Sequence, residues 1–298
     1  MSKRRVRRAE STETIEISAP AKINLFLQVV GRRDDGYHEL RTLMCCVGIY
    51  DTLVLRLPGQ RNEIICSHPD VPSNKTNLAL KAALRFNHAL AAERQISPDP
   101  VSIHLTKTIP AGAGLGGGSS DAAAVLKVLN KRYGRPFSRL RLQALALELG
   151  ADVPFFIDQV PALATGIGEK LTPYHGLAPM GVVLIYPGFA IATAEVFKNL
   201  NLGLTKCEKQ LRYFPFNNGK FCALHHLCND LEPEVTARFP VIQELKKALL
   251  DHGALGALMT GSGSAVFGLF ADPQAAQDVR HALACRDEWQ VFVTELLC

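Results

Sequence analysis

The chain has 298 residues, of which 47% are hydrophobic and 20% are charged, as expected for a globular protein of one large domain or two. The formal net charge is +5, but five basic residues stand within the first eight positions. Without these five, the 33 basic residues fall to 28, equal to the 28 acidic residues. The folded body therefore has no basic excess, which argues against a nucleic-acid surface. No run of about 18 apolar residues occurs, so no membrane span is predicted.

Residues 1–12 are predicted to form a disordered basic arm. No apolar segment of a secretory signal follows this arm, so a cytoplasmic location is expected. The eight cysteines lack the spacing of a disulfide framework, which predicts reduced thiols. Four of the potential metal ligands stand close together: Cys222, His225, His226 and Cys228. Side chains so near in sequence rarely converge to a tetrahedron, so ordinary packing is favoured over a metal site.

The first predicted strand covers Thr14–Val30 and alternates between apolar residues and the polar residues Lys22, Asn24 and Gln28. A turn cluster at 31–36 leads into a second apolar run that ends at Leu57, which predicts an antiparallel pair. A helix is predicted to begin at the cap residue Asn77 and to end at Arg94. The segment Val101–Thr108 alternates strictly and predicts a strand with one buried face.

That strand leads into PAGAGLGGGSS (110–120), which is followed by the helical pattern DAAAVLKVLN from Asp121. Glycine permits positive φ and lets the backbone approach a ligand closely. The unpaired N–H groups and the dipole at the start of a helix favour an anion. The pattern therefore predicts a phosphate-binding loop.

Four other interpretations of the loop are less consistent with the sequence. A Walker A loop requires a lysine after the last glycine, and Ser119 and Ser120 stand there instead. The dinucleotide fingerprint G-x-G-x-x-G is matched by Gly112, Gly114 and Gly117. However, the preceding strand is amphipathic and not fully buried, and no second strand that ends in an acidic residue follows about 20 residues later. The kinase motifs H-R-D and D-F-G are absent. A ligand-free turn would lose backbone entropy at each glycine for no gain.

After residue 160 the pattern changes to a strand over Gly181–Tyr186, a helix from Thr193 and a helix over Pro240–His252. Two apolar segments, 254–259 and 265–270, then flank the glycine turn TGSG at 260–263. This order predicts a small α+β sandwich. The predicted organisation is a tail (1–12), an N-terminal domain (13–160) and a C-terminal domain (161–298).

The proline, the run GLGGGSS and the alanine-rich helix resemble the phosphate loop of the GHMP kinases, the family of galactokinase, homoserine kinase, mevalonate kinase and phosphomevalonate kinase. The segments at 19–40 and 149–156 are similar to those of one member that acts on a cytidyl-diphosphate sugar alcohol. Similarity continues at Gly166, Asn229 and Thr260, so it spans nearly the whole chain after the tail. The resemblance implies an α+β, two-domain fold. A βαβ-containing nucleotide-binding domain would precede a ferredoxin-like α/β sandwich, with the active site in the cleft between them.

The resemblance also implies an activity, ATP-dependent phosphorylation of the 2-hydroxyl of the methylerythritol moiety. This is a step of the non-mevalonate (MEP) pathway of isoprenoid precursor synthesis. Mg²⁺ would accompany ATP, with Ser119 or Ser120 able to reach it, but no carboxylate ligand can be named. The implied ATP-binding residues are Pro110, Ala111, Gly112, Ala113, Gly114, Leu115, Gly116, Gly117, Gly118, Ser119 and Ser120.

By the same resemblance, Asp152 would be the general base, and Lys22 would neutralise charge on the transferred group. Their expected resting state is a mutual salt bridge. The residues alone also allow Asp152 to be a helix cap before Val-Pro and Lys22 to be a solvated charge on a strand.

Four residues are implied to bind the acceptor substrate. Asn24 shares a strand face with Lys22, Tyr37 and His38 would hold the cytosine by stacking and by hydrogen bonds, and Thr193 would contact the substrate from the second domain. Packing of Tyr37 against the core and capping of a helix by Thr193 are the alternatives.

Two loop residues depart from the family pattern, Ala113 in place of glycine and Asp121 in place of asparagine. The negative charge of Asp121 favours the helix start but lies close to the phosphates. Other GHMP substrates of the mevalonate, homoserine or sugar type stay open, as does a nucleic-acid module that uses the tail. The partners expected are small molecules, with no nucleic acid or membrane, and a monomer or weak homodimer is left open.

Overall fold

The computed structural model describes residues 12–200, 220–283 and 288–298; the predicted basic arm lies outside these ranges except for Thr12. The described strands are β1 (Glu13–Arg32), β2 (His38–Leu57), β3 (Glu63–Cys66), β4 (Ser102–Thr106), β5 (Ala162–Gly166), β6 (Lys170–Pro173), β7 (Gly181–Tyr186), β8 (Cys228–Asn229), β9 (Gly256–Met259), β10 (Val266–Phe270) and β11 (Gln290–Leu297). The described helices are α1 (Leu78–Arg94), α2 (Gly117–Arg132), α3 (Arg139–Leu147), α4 (Phe155–Asp158), α5 (Thr193–Asn199), α6 (Ala223–His226), α7 (Glu232–Arg238), α8 (Val241–Asp251), α9 (Pro273–Asp278) and α10 (Arg280–Leu283).

The N-terminal half is built on the long antiparallel pair β1–β2. β3 and β4 run parallel to each other and are joined through α1, which forms the βαβ unit that the resemblance implied. Asn77 caps α1 as predicted, because its side chain accepts a hydrogen bond from the backbone N–H of Ala79. α1 and α2 pack together over the apolar side chains of β2 and β4, including Leu53, Leu55 and Ile103.

The C-terminal half has the strand order β11-β7-β10-β9, with every neighbouring pair antiparallel. This order and the helices between the strands are those of a ferredoxin-like sandwich, as expected. Helices α8 and α9 cover one face of these strands, where Ile242, Leu245 and Leu249 are buried. The opposite face packs against β1 and β2, and Leu184 and Phe267 share a core with residues of those strands.

One sheet of 11 described strands crosses the predicted domain boundary at residue 160. β5 pairs with β2, and β11 pairs with both β2 and β7. The two halves are therefore joined by continuous backbone hydrogen bonding. The boundary itself stays a prediction.

Three sequence-based expectations need correction. The interpretation of Lys22 as a solvated charge is wrong, because both faces of β1 are covered and Lys22 is buried, as are Asn24 and Gln28. The helix after the glycine run begins at Gly117, four residues before the predicted Asp121, so the run supplies its first turn. Strands β3, β5, β6, β8 and β11 were not predicted, and all of these except β11 are too short to show a clear period.

The expectation of reduced thiols is wrong for Cys228, which is disulfide-bonded. Free thiols are present at the five other described cysteines: Cys45, Cys46, Cys66, Cys222 and Cys298. Cys207 and Cys285 lie outside the described residues. Within the described ranges, no helix combines the length and the apolar composition that crossing a membrane would require.

Candidate active site

A cleft of about 1610 Å³ lies where β1, the glycine loop, the segment before α4 and α5 meet. Of the residues predicted for catalysis and binding, all but Ser120 line this cleft. The fold thus brings together residues that stand as far apart in sequence as Lys22 and Thr193. Ser120 is fully buried behind the cleft wall instead.

The glycine loop owes its shape to three left-handed residues, Gly112 (φ 65°), Gly114 (φ 80°) and Gly116 (φ 69°). These angles are unfavourable for residues with a Cβ. Gly117, the third glycine of the dinucleotide fingerprint, is the first residue of α2. Ala113 does not have a positive φ, and its departure from the family pattern therefore needs no strain.

The start of α2 is arranged for an anion. Gly116 precedes the helix without any side-chain cap, and the first turn contains no acidic residue. The backbone N–H groups of Gly117, Gly118 and Ser119 therefore have no partner in the helix, whereas that of Ser120 donates to the carbonyl of Gly116 at 2.9 Å. The positive end of the helix dipole strengthens the attraction of the free N–H groups for an anion. This geometry is suited to the phosphates of a nucleotide.

Lys22 is only 3% exposed, and its ammonium is held on three sides. Nζ donates to Asn24 Oδ1 at 2.6 Å and to the carbonyl of Gly114 at 2.8 Å, and it lies 3.9 Å from Asp152 Oδ2. An ammonium has three donors, and here three oxygen atoms surround it. Burial lowers the pKa of Lys22, and the carboxylate of Asp152 partly opposes that effect.

Asp152 lies between α3 and α4, with its side chain 40% exposed to the cleft. The predicted salt bridge to Lys22 is present. The interpretation of Asp152 as a helix cap is wrong, because Pro154 is the N-cap of α4 and no side chain caps this helix. Asp152 is therefore a carboxylate that is both accessible and next to a fixed cation.

The carboxamide of Asn24 is engaged within the protein. Its Oδ1 accepts from Lys22, and its Nδ2 donates to Thr42 Oγ1 at 2.8 Å. Thr42 in turn donates to the carbonyl of Phe26 at the bottom of the cleft. These contacts orient Asn24 so that its oxygen holds the ammonium of Lys22. Its predicted contact with substrate stays a prediction.

Aromatic side chains line another part of the cleft. Tyr37 is 60% exposed, so it does not pack against the core. The ring of His38 is stacked on Phe197 of α5, with ring centroids 5.1 Å apart and the planes 27° from parallel. Burial, and to a smaller extent the nearby Arg32, lower the pKa of His38, which favours a neutral imidazole with one donor and one acceptor.

Thr193 is the first residue of α5, and its Oγ1 lies 2.7 Å from Ser262 Oγ of the TGSG turn. Capping by Thr193 is excluded, because Ala192 is the N-cap and no side chain caps the helix. Phe197 stands one turn later on the same helical face as Thr193. The sequence analysis did not identify Phe197 as a site residue, although its position four residues after Thr193 on a helix places both side chains on one face.

A buried charge cluster braces the base of the glycine loop, and sequence reasoning missed it. Lys107 Nζ pairs with Asp51 and, at 3.0 Å, with Asp121 Oδ2. Asp51 Oδ1 also accepts from the backbone N–H groups of Thr108 and Ile109, at 2.7 and 2.9 Å. Residues just before and just after the loop are thus tied together. Burial, which Asp51 reinforces and Lys107 opposes, raises the pKa of Asp121 to about 7.

Within the described ranges, no group of three or more His, Cys, Asp and Glu side chains could hold a metal ion. The side chains of Cys222, His225, His226 and Cys228 do not form such a group. At the start of α2, however, Ser120 Oγ and Asp121 Oδ1 are buried oxygen atoms without a hydrogen-bond partner among the described residues. Such oxygen donors, together with the phosphates of a nucleotide, fit the preferences of Mg²⁺.

Comparison with known proteins agrees with this geometry. Residues 77–163 match the GHMP kinases N terminal domain, and residues 218–287 match the GHMP kinases C terminal domain. The 4-diphosphocytidyl-2-C-methyl-D-erythritol kinase of Syntrophotalea carbinolica is 44% identical over 278 residues, which cover 93% of this chain and 97% of the relative. The enzyme of the same name from Pelobacter propionicus is 41% identical over 286 residues, which cover 96% of this chain and 100% of the relative.

Solved structures give the same result. A crystal structure of 4-(cytidine 5'-diphospho)-2C-methyl-D-erythritol kinase superposes with a TM-score of 0.76 at 36% identity, and the match covers 95% of this chain and 99% of the other. Homoserine kinase from Cytophaga hutchinsonii superposes with a TM-score of 0.74 at 20% identity, with 98% and 97% covered, and shares the fold. The chain therefore belongs to the GHMP kinase family, and within it groups with the 4-diphosphocytidyl-2-C-methyl-D-erythritol kinases.

Proposed function

We propose that this chain transfers the γ-phosphoryl group of ATP to the 2-hydroxyl of 4-diphosphocytidyl-2-C-methyl-D-erythritol. The observation that carries this proposal is that one cleft is lined by the glycine loop, the Lys22–Asp152 pair and the aromatic group of Tyr37, His38 and Phe197. A phosphate site, an acid–base pair and a site for a planar base are the parts that this reaction needs. The relatives that are named as kinases of this cytidyl substrate support the choice of substrate.

Asp152 is the group that removes the proton from the attacking hydroxyl. Its carboxylate is accessible from the cleft, whereas the ammonium beside it is fixed by Asn24 and Gly114. As the hydroxyl loses its proton, negative charge develops on its oxygen and on the transferred group, and the Lys22 ammonium stabilises that charge. Catalysis then rests on positioning and electrostatics, as is usual in phosphoryl transfer.

The glycine loop binds the phosphates of ATP through the free N–H groups at the start of α2. Mg²⁺ would be held there by Asp121 Oδ1, whose residue lines the cleft, and by the nucleotide's own phosphates. Bound in this way, the ion would reduce the negative charge of the phosphates. The buried Oδ1 of Asp121, which has no hydrogen-bond partner among the described residues, supports this assignment.

The cytosine is bound by the aromatic group. The exposed ring of Tyr37 and the ring of Phe197 offer apolar faces for stacking. A neutral His38 has one N–H donor and one nitrogen acceptor, and the edge of cytosine carries both an amino donor and acceptors. Mevalonate and homoserine have no aromatic ring, so neither could stack on these aromatic side chains.

The test is an ADP-release assay with the purified chain and four acceptors: the cytidyl substrate, mevalonate, homoserine and galactose. Turnover that depends on the cytidyl substrate is expected, with little ADP released in its absence. Efficient turnover with one of the other three acceptors, and none with the cytidyl substrate, would overturn the proposal. The product should carry a new phosphomonoester signal in its ³¹P spectrum.

A further inference from the structure

Thr260 is the first residue of the TGSG turn, and the proposed function assigns no role to it. Thr260 follows β9, and its side chain is fully buried at the point where the C-terminal half meets the glycine loop. Its hydroxyl accepts a hydrogen bond from the backbone N–H of Asn24 at 3.0 Å. This contact joins residues that are 236 positions apart in sequence.

Thr260 also shares its acceptors with Lys22. Its Oγ1 lies 3.4 Å from Asn24 Oδ1 and 3.4 Å from the carbonyl oxygen of Gly114. These are the two oxygen atoms that receive the hydrogen bonds of the Lys22 ammonium. One hydroxyl group therefore contacts both of the atoms that fix the position of Lys22, and it contacts the strand backbone that carries Asn24.

The turn that carries Thr260 is itself held in place. Asn229 Nδ2 donates to the carbonyls of Met259 and Gly261, both at 2.8 Å, so it bridges the residues on either side of Thr260. Glu232 accepts from the N–H of Met259 at 2.9 Å. These side chains come from β8 and α7. The position of the Thr260 hydroxyl is therefore fixed from outside the cleft.

The backbone contact between this turn and the glycine loop leaves little freedom. A Cβ added to Gly114 would lie 2.2 Å from the carbonyl oxygen of Thr260, and a Cβ added to Gly261 would lie 3.1 Å from that of Gly114. The two turns therefore meet through glycines. A change in the hydroxyl of Thr260 leaves this backbone contact intact, so its effect can be measured separately.

We propose that Thr260 is a positioning residue for Lys22, which orients Asn24 Oδ1 and the Gly114 carbonyl so that the ammonium faces the transferred group. The inference rests on the proposed function, because it requires Lys22 to act on the reaction. Thr260 does not line the cleft, so it acts through its neighbours. Asn229 supports it from behind.

The test compares Thr260→Val, which removes the hydroxyl at nearly constant volume, with Thr260→Ser, which keeps it. Thr260→Val should lower kcat by about 10- to 100-fold, since a misplacement of about 1 Å can cost about 10²-fold in rate. The KM values for both substrates should change little, and Thr260→Ser should recover most of the loss. Thr260→Ala also removes the hydroxyl, but it does not add the second γ-methyl group that valine introduces. Thermal melting confirms that each variant is folded.

Thr236→Val is the matched control, because its hydroxyl donates to the carbonyl of Glu232 within α7, away from the cleft. It should retain the kcat of the original chain. In a Lys22→Met background, Thr260→Val should cause no further loss, because the residue that it positions is gone.

Each contrary result has its own meaning. Normal kcat in the folded Thr260→Val and Thr260→Ala variants, or an additive loss in the Lys22→Met background, would overturn the role of Thr260 while leaving the proposed function in place. Normal kcat in Lys22→Met would overturn the role of Lys22 and that of Thr260 with it. A Thr260→Ser variant as slow as Thr260→Val would show that the hydroxyl is not the group that matters.

Discussion

Lys22 and Asp152 form an unequal pair, with 3.9 Å between Nζ and Oδ2. The lysine is buried and fixed by two shorter hydrogen bonds, whereas the aspartate is 40% exposed to the cleft. A fixed cation next to an accessible carboxylate suits a reaction in which the carboxylate must approach a substrate hydroxyl. The cation need not move while charge develops.

Gly114→Ala should damage the nucleotide site. The residue has φ +80°, and a Cβ would lie 2.2 Å from the carbonyl oxygen of Thr260. We expect a loss of stability of about 1–3 kcal/mol from the backbone angle alone, and a raised KM for ATP because the loop must shift. Kinetics with varied ATP, together with thermal melting, measure both effects.

Gly134→Ala is the matched control for that change. Gly134 has a similar φ of +74°, but nothing lies within 4 Å of an added Cβ. It should lose stability through the backbone angle and keep its KM for ATP. Equal KM values for the two variants would contradict a specific contact between Gly114 and the TGSG turn.

Phe197→Ala and Tyr37→Ala should weaken binding of the cytidyl substrate but not of ATP. Stacking on one base is worth about 1–3 kcal/mol, which corresponds to a rise in KM of about 5- to 150-fold. Tyr50→Ala is the control, since Tyr50 is also exposed but does not line the cleft. An unchanged KM for the cytidyl substrate in both variants would remove these rings from the substrate site.

Asp121→Asn should change how stability depends on pH. Burial raises the pKa of Asp121 to about 7 in the folded chain, against about 3.9 when unfolded. Between these values the unfolded state releases the proton first, so the free energy of unfolding falls as pH rises from about 4 to about 7. Asparagine does not titrate, and this part of the slope should disappear.

Denaturant unfolding of both proteins at pH 5 and pH 8 measures this difference. Relative to the variant, the original chain should lose stability between the two pH values, by an amount on the order of a few kcal/mol. Parallel dependence on pH in the two proteins would show that Asp121 does not titrate in this range.

The features that could be predicted from the sequence are those that depend only on residues close together in the chain. The glycine loop, the cap at Asn77 and the strand β1 depend on patterns of neighbouring residues, and each was found. Burial of Lys22 and Asn24 was not predicted, because the second face of β1 is covered by elements distant in sequence. A period of two shows that two faces differ, but not that the polar face is solvated.

The candidate site divides in the same way. Lys22, Tyr37, His38 and Asp152 were identified through motif resemblance, and the structure places them in one cleft. Asp51 had no such signal, and the resemblance at Thr260 did not indicate a role for that residue, because their contacts cross 56 and 236 positions of sequence. Charge pairs and shared acceptors of this kind appear only when the strands are assembled.

The central claim is that Asp152 is the base for phosphoryl transfer to the cytidyl substrate. The most direct measurement is kcat for ATP-dependent phosphorylation of that substrate by Asp152→Asn, with the fold checked by thermal melting. Asp158→Asn is the control, because Asp158 pairs with Arg139 on the surface. We predict that Asp152→Asn lowers kcat by about 10²- to 10⁴-fold, whereas Asp158→Asn retains it. A folded Asp152→Asn variant with near-normal kcat would contradict the account.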